Sequence, residues 1–423
     1  MHTCGSITNG NGKVEERQTH GRLGEFVHGE NLLFYVFPLP RRTPVPKIQS
    51  VSVCVARVPL DTATSFATRT VSARDYCLVR VRSTDGVEGI GFCYVGSAGG
   101  RIAQIAVEDL LAPKLVGQES FRVEGLWQEM YQESLLQGRS GSVMRGISIL
   151  DTALWDLNAR SAKLPLHLYL GAYVVDAVPA YASGGYYLAG KTPKMLGKEM
   201  ASYVKAGFKA VKMKVGRLSP RDEEGRVRAA RDAVGPDVHL MLDANNAWSD
   251  VPTALEYCRR WEKYDPYWIE EPFGPDDIDG HARLAELTPI VVATGEIAYG
   301  RWYHKELLDK RGAEILQTDL CVCGGITEWK RIAAMAAGYG VTISPHWFHD
   351  AHAPLVAATP NARYVEFFPD DQVLNFRRLI NRQLRHKDGK LILHHTPGLG
   401  FEFDESAVKN YALGGTRAWT VVK

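Results

Sequence analysis

Eight short apolar runs follow one another from residue 177 to about 384, separated by amphipathic stretches. They are VPAYAS (178–183), AVKMKVG (210–216), VHLMLDA (238–244), YWIEE (267–271), IVVATGE (290–296), EILQTD (314–319), VTISPH (341–346) and YVEFF (364–368). The intervening stretches, such as EEGRVRAARDAVG and ITEWKRIAAMAAGYG, carry apolar residues at helical spacing. Strands that alternate with helices run parallel and are covered on both faces, which favours a closed (β/α) barrel over a sandwich. The eighth run has no clear helix after it.

A different pattern precedes the barrel. Residues 1–46 are polar and Gly-rich, then Pro-rich (FPLPRRTPVPK), and read as an extension with little core of its own. From residue 47 to 176, IQSVSVCVARVPL and DYCLVRVRSTDGVEGIGFCYV are β-rich, with Asp85-Gly86 marking a turn. Helical periodicity follows in RIAQIAVEDLLAPKLVG, FRVEGLWQEMYQESL and VMRGISILDTALWDLNARSAK. This region reads as an α+β domain of three strands and three helices. The tail, residues 385–423, turns β- and loop-like and is expected to fold back onto that first domain.

Bulk properties remove several function classes. The 423 residues carry a formal net charge of only +2, with no dense basic stripe, so nucleic acid is not an expected partner. No apolar run reaches the roughly 18 residues of a membrane helix. The N-terminus lacks the apolar centre of a signal peptide. The seven cysteines (Cys4, Cys54, Cys77, Cys93, Cys258, Cys321 and Cys323) are scattered and mostly within apolar runs, which fits buried, reduced thiols and a cytoplasmic location. Cys321 and Cys323 form one close pair without a second, a weak zinc signal.

The chemistry concentrates where the runs end. Asp243, Glu270 and Glu296 are 27 and 26 residues apart, about one strand-helix repeat, so a barrel gathers them at one mouth. Three crowded carboxylates repel one another unless a cation holds them, and Mg²⁺ suits an all-oxygen site, with Mn²⁺ chemically close. Glu270 and Glu271 are adjacent, so strand alternation places them on opposite sides without saying which faces inward. Lys212 and Lys214 share one face of their strand, where close ammonium groups would depress each other's pKa. Asn245 shares a face with Asp243. Asp319 and His346 end neighbouring runs, so the carboxylate can fix the imidazole tautomer and leave the other nitrogen as a base. Glu366 is placed to enter the same mouth. His346, His349 and His352 form an H-x-x-H-x-x-H run, read as a loop with one catalytic histidine rather than a zinc site.

Taken together, KMK (212–214), DAN (243–245), EEP (270–272), GE (295–296), TD (318–319), SPH (344–346) and Glu366 resemble the enolase superfamily, in its mandelate racemase-like subgroup. The segment ISILDTALWDLNARSAKLPLHLYLG is similar to the signature helix of that family's capping domain. The resemblance spans about residues 47–423; the extension before it is a departure from the family. It implies a modified (β/α)₇β TIM-type barrel, with an α+β capping domain built from the N-terminal region and the C-terminal tail. It also implies that Asp243, Glu270 and Glu296 are the metal ligands, which chooses Glu270 over Glu271. Lys214 would be one acid/base and His346, paired with Asp319, the other. Lys212 would neutralise a substrate carboxylate and Glu366 would hydrogen-bond the developing enediolate. A Lys or His base with Mg²⁺ stabilising an enolate is the chemistry of such sites.

The expected reaction is loss of a proton α to the carboxylate of a small molecule, most simply dehydration of an aldonate or aldarate to a 2-keto-3-deoxy acid. Racemisation or epimerisation of a 2-hydroxy acid is the alternative. A metal-dependent hydrolase barrel would need H-x-H in the first run, which reads AYASGG, and a non-catalytic scaffold would not need so full a set of acids and bases. The polar segments DTATSFATRT (61–70) and CYVGSAGGR (93–101) are expected as loops closing over a polyol, with Arg69, Arg101, Tyr186 and Tyr187 contributing contacts. Assembly into a homo-oligomer is what the resemblance implies.

Overall fold

An antiparallel meander opens the fold: β1 (Ile48–Ser65), β2 (Thr70–Ser83) and β3 (Glu88–Tyr94). The computed structural model describes residues 45–370, 373–415 and 418–423, so Cys4 and almost all of the expected extension over residues 1–46 lie outside the described residues. The helix Gly141–Ser161 lies directly on β3. That approach requires glycine at alternate strand positions: a Cβ on Gly89 would sit 2.1 Å from the Ala153 carbonyl oxygen, and one on Gly91 1.9 Å from that of Ile149. The obstacle is helix backbone, which cannot rotate away. Gly91→Ala is therefore expected to destabilise the protein by about 3 kcal/mol, read as a lower urea midpoint.

The segment RIAQIAVEDLLAPKLVG is not one continuous α-helix. An α-helical turn (Gly100–Ile105) widens to i→i+5 bonding over Ala106–Leu111 and tightens to 3₁₀ at Ala112–Lys114. Pro113 has no N–H to continue the helical ladder, which accounts for the break.

The barrel strands are β4 (Ala177–Gly184), β5 (Ala210–Lys214), β6 (His239–Asp243), β7 (Pro266–Glu270), β8 (Val292–Thr294), β9 (Ile315–Leu316), β10 (Thr342–Ile343) and β11 (Val365–Phe367). Each pairs in parallel with the next from β4 to β10, and β11 pairs with β4. A parallel bridge between Ile343 and Ala362 closes the ring. Helix starts carry their own signals: Thr192, Ser219, Asp250 and Asp277 each accept a backbone N–H as N-caps, and Pro follows at N1 or N2 in the first three. After β11 only a 3₁₀ turn (Asn375–Leu379) follows, so the last unit lacks its helix.

The tail divides. A hairpin of β12 (Arg385–Lys387) and β13 (Lys390–Ile392) pairs antiparallel with β4, so residue 385 begins a barrel accessory rather than a return to the cap. The return comes later, when β14 (Thr420–Val422) pairs with β1 as a fourth strand of the cap sheet. The cap is also tied to the barrel: the Trp127 indole donates to the Gly324 carbonyl at 2.8 Å, and Thr327 N–H to Asp151 at 2.8 Å. Among the described residues no helix is long and apolar enough to cross a membrane. The six described cysteines are free and buried.

The barrel interior is layered. Tyr181, Ala210, Met241, Trp268, Ala293 and Ile315 form an apolar floor. Two residues further along their strands, on the same face, stand Lys212, Asp243 and Glu270. The polar site therefore rests on a dry base at the C-terminal ends of the strands, the usual place for barrel chemistry.

Candidate active site

Register places three charged groups level with one another: Lys214 pairs with Asp243, and Asp243 with Glu270, across β5, β6 and β7. Lys212 lies one layer below. Its Nζ is 2.7 Å from Glu270 Oε1, 2.7 Å from Glu366 Oε1 and 3.5 Å from Asp243 Oδ2. Lys214 Nζ is 2.5 Å from Asp243 Oδ2. On the other side, His346 Nδ1–H donates to Asp319 Oδ2 at 2.9 Å, leaving Nε2 3.5 Å from Glu296 Oε1. Glu366 also accepts the backbone N–H of Trp347 at 2.8 Å. These charges are all buried or nearly so.

Lys212 does lower the Lys214 pKa, as their spacing leads one to expect, but the net shift of both lysines is upward. Burial disfavours both charges, but Glu270 and Glu366 hold the Lys212 pKa well above its ordinary value, and Asp243 raises that of Lys214. Six carboxyl groups (Asp243, Glu270, Glu271, Glu296, Asp319 and Glu366) crowd around Lys212, Lys214 and His346. Asp243, against the effect of burial, is drawn down to about 2 by Lys214 and Lys212. Those less well paired go up. Burial and Asp243 raise Glu271 to about 8, and burial and Glu271 raise Glu296 to about 7. His346, despite burial, is raised to about 9 by Glu296 and Asp319 and is an imidazolium at neutral pH.

A cavity of about 250 Å³ opens above this cluster. Lys214, His346, Asp319, Glu296, Asn245, Tyr186 and Arg69 line it, and so bring together most of the expected site. Its cap side is a hairpin tip, not the expected loop over 61–70: β1 runs to Ser65 and β2 starts at Thr70. Thr68 Oγ1 donates to the Asn245 carbonyl at 3.2 Å and pins the tip over the mouth.

Two expected contacts are not brought there. Tyr187 turns outward, where its hydroxyl bonds Glu223 and its ring stacks on Arg226. Arg101 is exposed at a helix start and reaches the Leu413 carbonyl instead. The rule that adjacent Glu270 and Glu271 face opposite sides also fails. Glu270 is the last residue of β7 and bonds Lys212 inside the barrel, and Glu271 has a φ of 42°, so strand alternation stops there and Glu271 lines the cavity.

Of the histidine run, only His346 faces the cavity. His349 begins the helix His349–Ala357, and His352 is fixed by Leu320 N–H and the Trp347 carbonyl. Arg74, Tyr94, Arg145, Asn246 and Trp347 line the cavity without having been singled out. Trp347 and Asn246 adjoin recognised motifs, but nothing around Arg74 or Arg145 in the chain marks them.

Among the described residues no three acidic, histidine or cysteine side chains are gathered as a ready cation cage, because the carboxylates turn toward Lys212 and Lys214. The residues nevertheless fit a hard divalent cation. The donors are all oxygen, carboxyl groups crowd together at the strand ends, and buried Glu296 Oε2 has no hydrogen-bond partner.

Comparisons with known proteins match this arrangement. Residues 48–171 match the mandelate racemase / muconate lactonizing enzyme N-terminal domain, and residues 195–407 the enolase C-terminal domain-like family. Arabinonate dehydratase of Saccharolobus solfataricus is 35% identical over 78% of this chain and 89% of its own. The 3,6-anhydro-alpha-L-galactonate cycloisomerase of Streptomyces coelicolor is 31% identical over 87% of this chain and 100% of its own. The crystal structure of L-talarate/galactarate dehydratase from Salmonella typhimurium LT2, liganded with Mg and L-lyxarohydroxamate, superposes with a TM-score of 0.84 at 30% identity, covering 93% of this chain and 98% of that one.

Proposed function

The chain belongs to the mandelate racemase / muconate lactonizing enzyme family of the enolase superfamily, and from that premise we propose that it is a Mg²⁺-dependent dehydratase of a sugar acid, forming a 2-keto-3-deoxy acid. The observation that carries the reading is that Lys214 and the Asp319-fixed His346 reach one cavity above a buried acid cluster. Asp243, Glu270 and Glu296 are the residues that would hold the metal. Bound there, Mg²⁺ supplies positive charge to the substrate carboxylate and to the enolate that develops from it.

The chain's own groups divide the rest of the work. Lys214 keeps its proton because Asp243 is beside it; once that carboxylate is engaged elsewhere, the amine can take the proton from C2. His346, in its protonated form, gives its Nε2 proton to the C3 hydroxyl, which leaves as water. Asp319 holds the ring in place through Nδ1 and stabilises its charge. Lys212 and Glu366 flank the position where negative charge grows. The enol product then tautomerises to the keto acid. Buried Asn245 Oδ1 and Trp347 Nε1 have no protein partner and lie on cavity-lining residues, which suits a substrate rich in hydroxyls.

Incubation of five- and six-carbon aldonates and aldarates with Mg²⁺ should give a 2-keto acid from at least one, and chelation of the metal should stop it. No keto acid from any of them would end this reading. Deuterium entry at C2 in D₂O without loss of water would favour the racemase or epimerase reading instead.

A further inference from the structure

Arg74, on β2 of the cap, is a buried cation without a carboxylate ion pair among the described residues. It is 2% exposed and lines the active-site cavity. Its Nε donates to the Val373 carbonyl at 3.1 Å. Its guanidinium carbon lies 5.1 Å from the Tyr94 ring centroid and 4.7 Å from that of Trp347. These contacts fix the plane of the group without neutralising it, and among the described residues no carboxylate forms an ion pair with it. Buried Lys212, Lys214 and Arg226 are, by contrast, each paired with one.

A second guanidinium stands nearby. Arg145, from the cap helix Gly141–Ser161, lines the same cavity and donates to the Tyr94 carbonyl at 2.7 Å; Tyr299 and Asp319 act on it, but among the described residues no carboxylate forms an ion pair with it. A charge removed from water without a partner is costly, so the buried Arg74 guanidinium, with Arg145 on the same wall, fits an anion that arrives with the ligand.

The carboxylate undergoing chemistry is not that anion. It belongs at the barrel wall, with Lys212 and the acid cluster. Arg74 and Arg145 instead come from the cap, so they meet the other end of the substrate. We propose that the substrate is a dicarboxylate, an aldarate rather than an aldonate, whose second carboxylate is held two-pronged by the Arg74 guanidinium with Arg145 beside it. This rests on the sugar-acid dehydratase reading and narrows it. Trp347 links the two ends of the site: its ring stacks on that of His346 at 5.4 Å and also carries Arg74.

The test compares aldarate/aldonate pairs of one configuration (galacto, gluco and manno), which differ only in a carboxylate or a hydroxymethyl group at C6. With Mg²⁺-loaded wild-type protein, kcat/KM for the best aldarate should exceed that of its aldonate by roughly 100-fold. In Arg74→Gln this ratio should collapse toward one, chiefly through KM for the aldarate, and Arg74→Lys should restore part of it. Arg145→Gln should lower the ratio less. A ratio is read within one variant, so a partly unfolded preparation does not distort it. Aldonates turned over as fast as aldarates by the wild type, or an Arg74→Gln variant slowed equally on both, would overturn the dicarboxylate assignment and leave the dehydratase reading intact. No keto acid from any pair would instead remove the dehydratase reading and this proposal with it.

Discussion

His346→Asn should lower kcat for dehydration by roughly 10³-fold while still exchanging the C2 proton of the substrate with solvent. The expectation follows from the separate positions of the two proton carriers. Lys214 stands on β5 beside Asp243, whereas His346 follows β10 and is tied to Asp319. If Lys214 takes the C2 proton, the base survives in His346→Asn and only the acid for the departing hydroxyl is missing. The enolate then forms, returns its proton and incorporates deuterium from D₂O. Asn retains a side-chain amide able to donate to Asp319, so that carboxylate is not left bare. Lys214→Ala should abolish both dehydration and exchange. Proton NMR in D₂O separates the two variants in one experiment. Loss of exchange in His346→Asn together with retained exchange in Lys214→Ala would reverse the roles assigned to them.

Much of this architecture was legible in the chain because barrels obey simple periodicities. Strand-helix alternation announced the ring, and spacings of one repeat placed Asp243, Glu270 and Glu296 at one mouth. The readings that failed did so where periodicity ends. Glu271 lies one residue past β7, and a φ of 42° turns it toward the cavity. Residues 61–70 have a loop-like composition, yet pairing with β2 carries β1 through to Ser65. The repulsion between Lys212 and Lys214 was legible, but not that it is outweighed, because a strand pattern shows only the strand's own charges and Glu270 and Glu366 come from other strands. Arg74 had no signature at all. One arginine in a β-rich run looks like an edge residue, and only the docking of cap on barrel makes it part of the cavity.

The largest effect on stability should come from Lys212→Met. One ammonium group bridges Glu270 and Glu366 at 2.7 Å each, and all three side chains are 1% exposed or less. Removing it leaves two buried carboxylates without their shared cation, a loss of about 3–5 kcal/mol. The deficit should depend on pH, with a sign that follows from burial. In the variant both carboxyl groups should titrate higher than in the wild type, since burial already raises Glu270, and Glu366 loses Lys212, the first of the three cations (with His346 and Lys214) that hold it low against burial. An acid whose pKa rises on folding favours the folded state only while protonated. The deficit should therefore be smallest below about pH 4.5 and grow as the pH rises toward 8. Mg²⁺ should restore part of the loss by binding the folded state in place of the missing charge. Thermal unfolding of wild type and variant at pH 5 and pH 8, with and without Mg²⁺, measures all of this. A deficit that was the same at both pH values would mean that Lys212 acts through packing rather than charge.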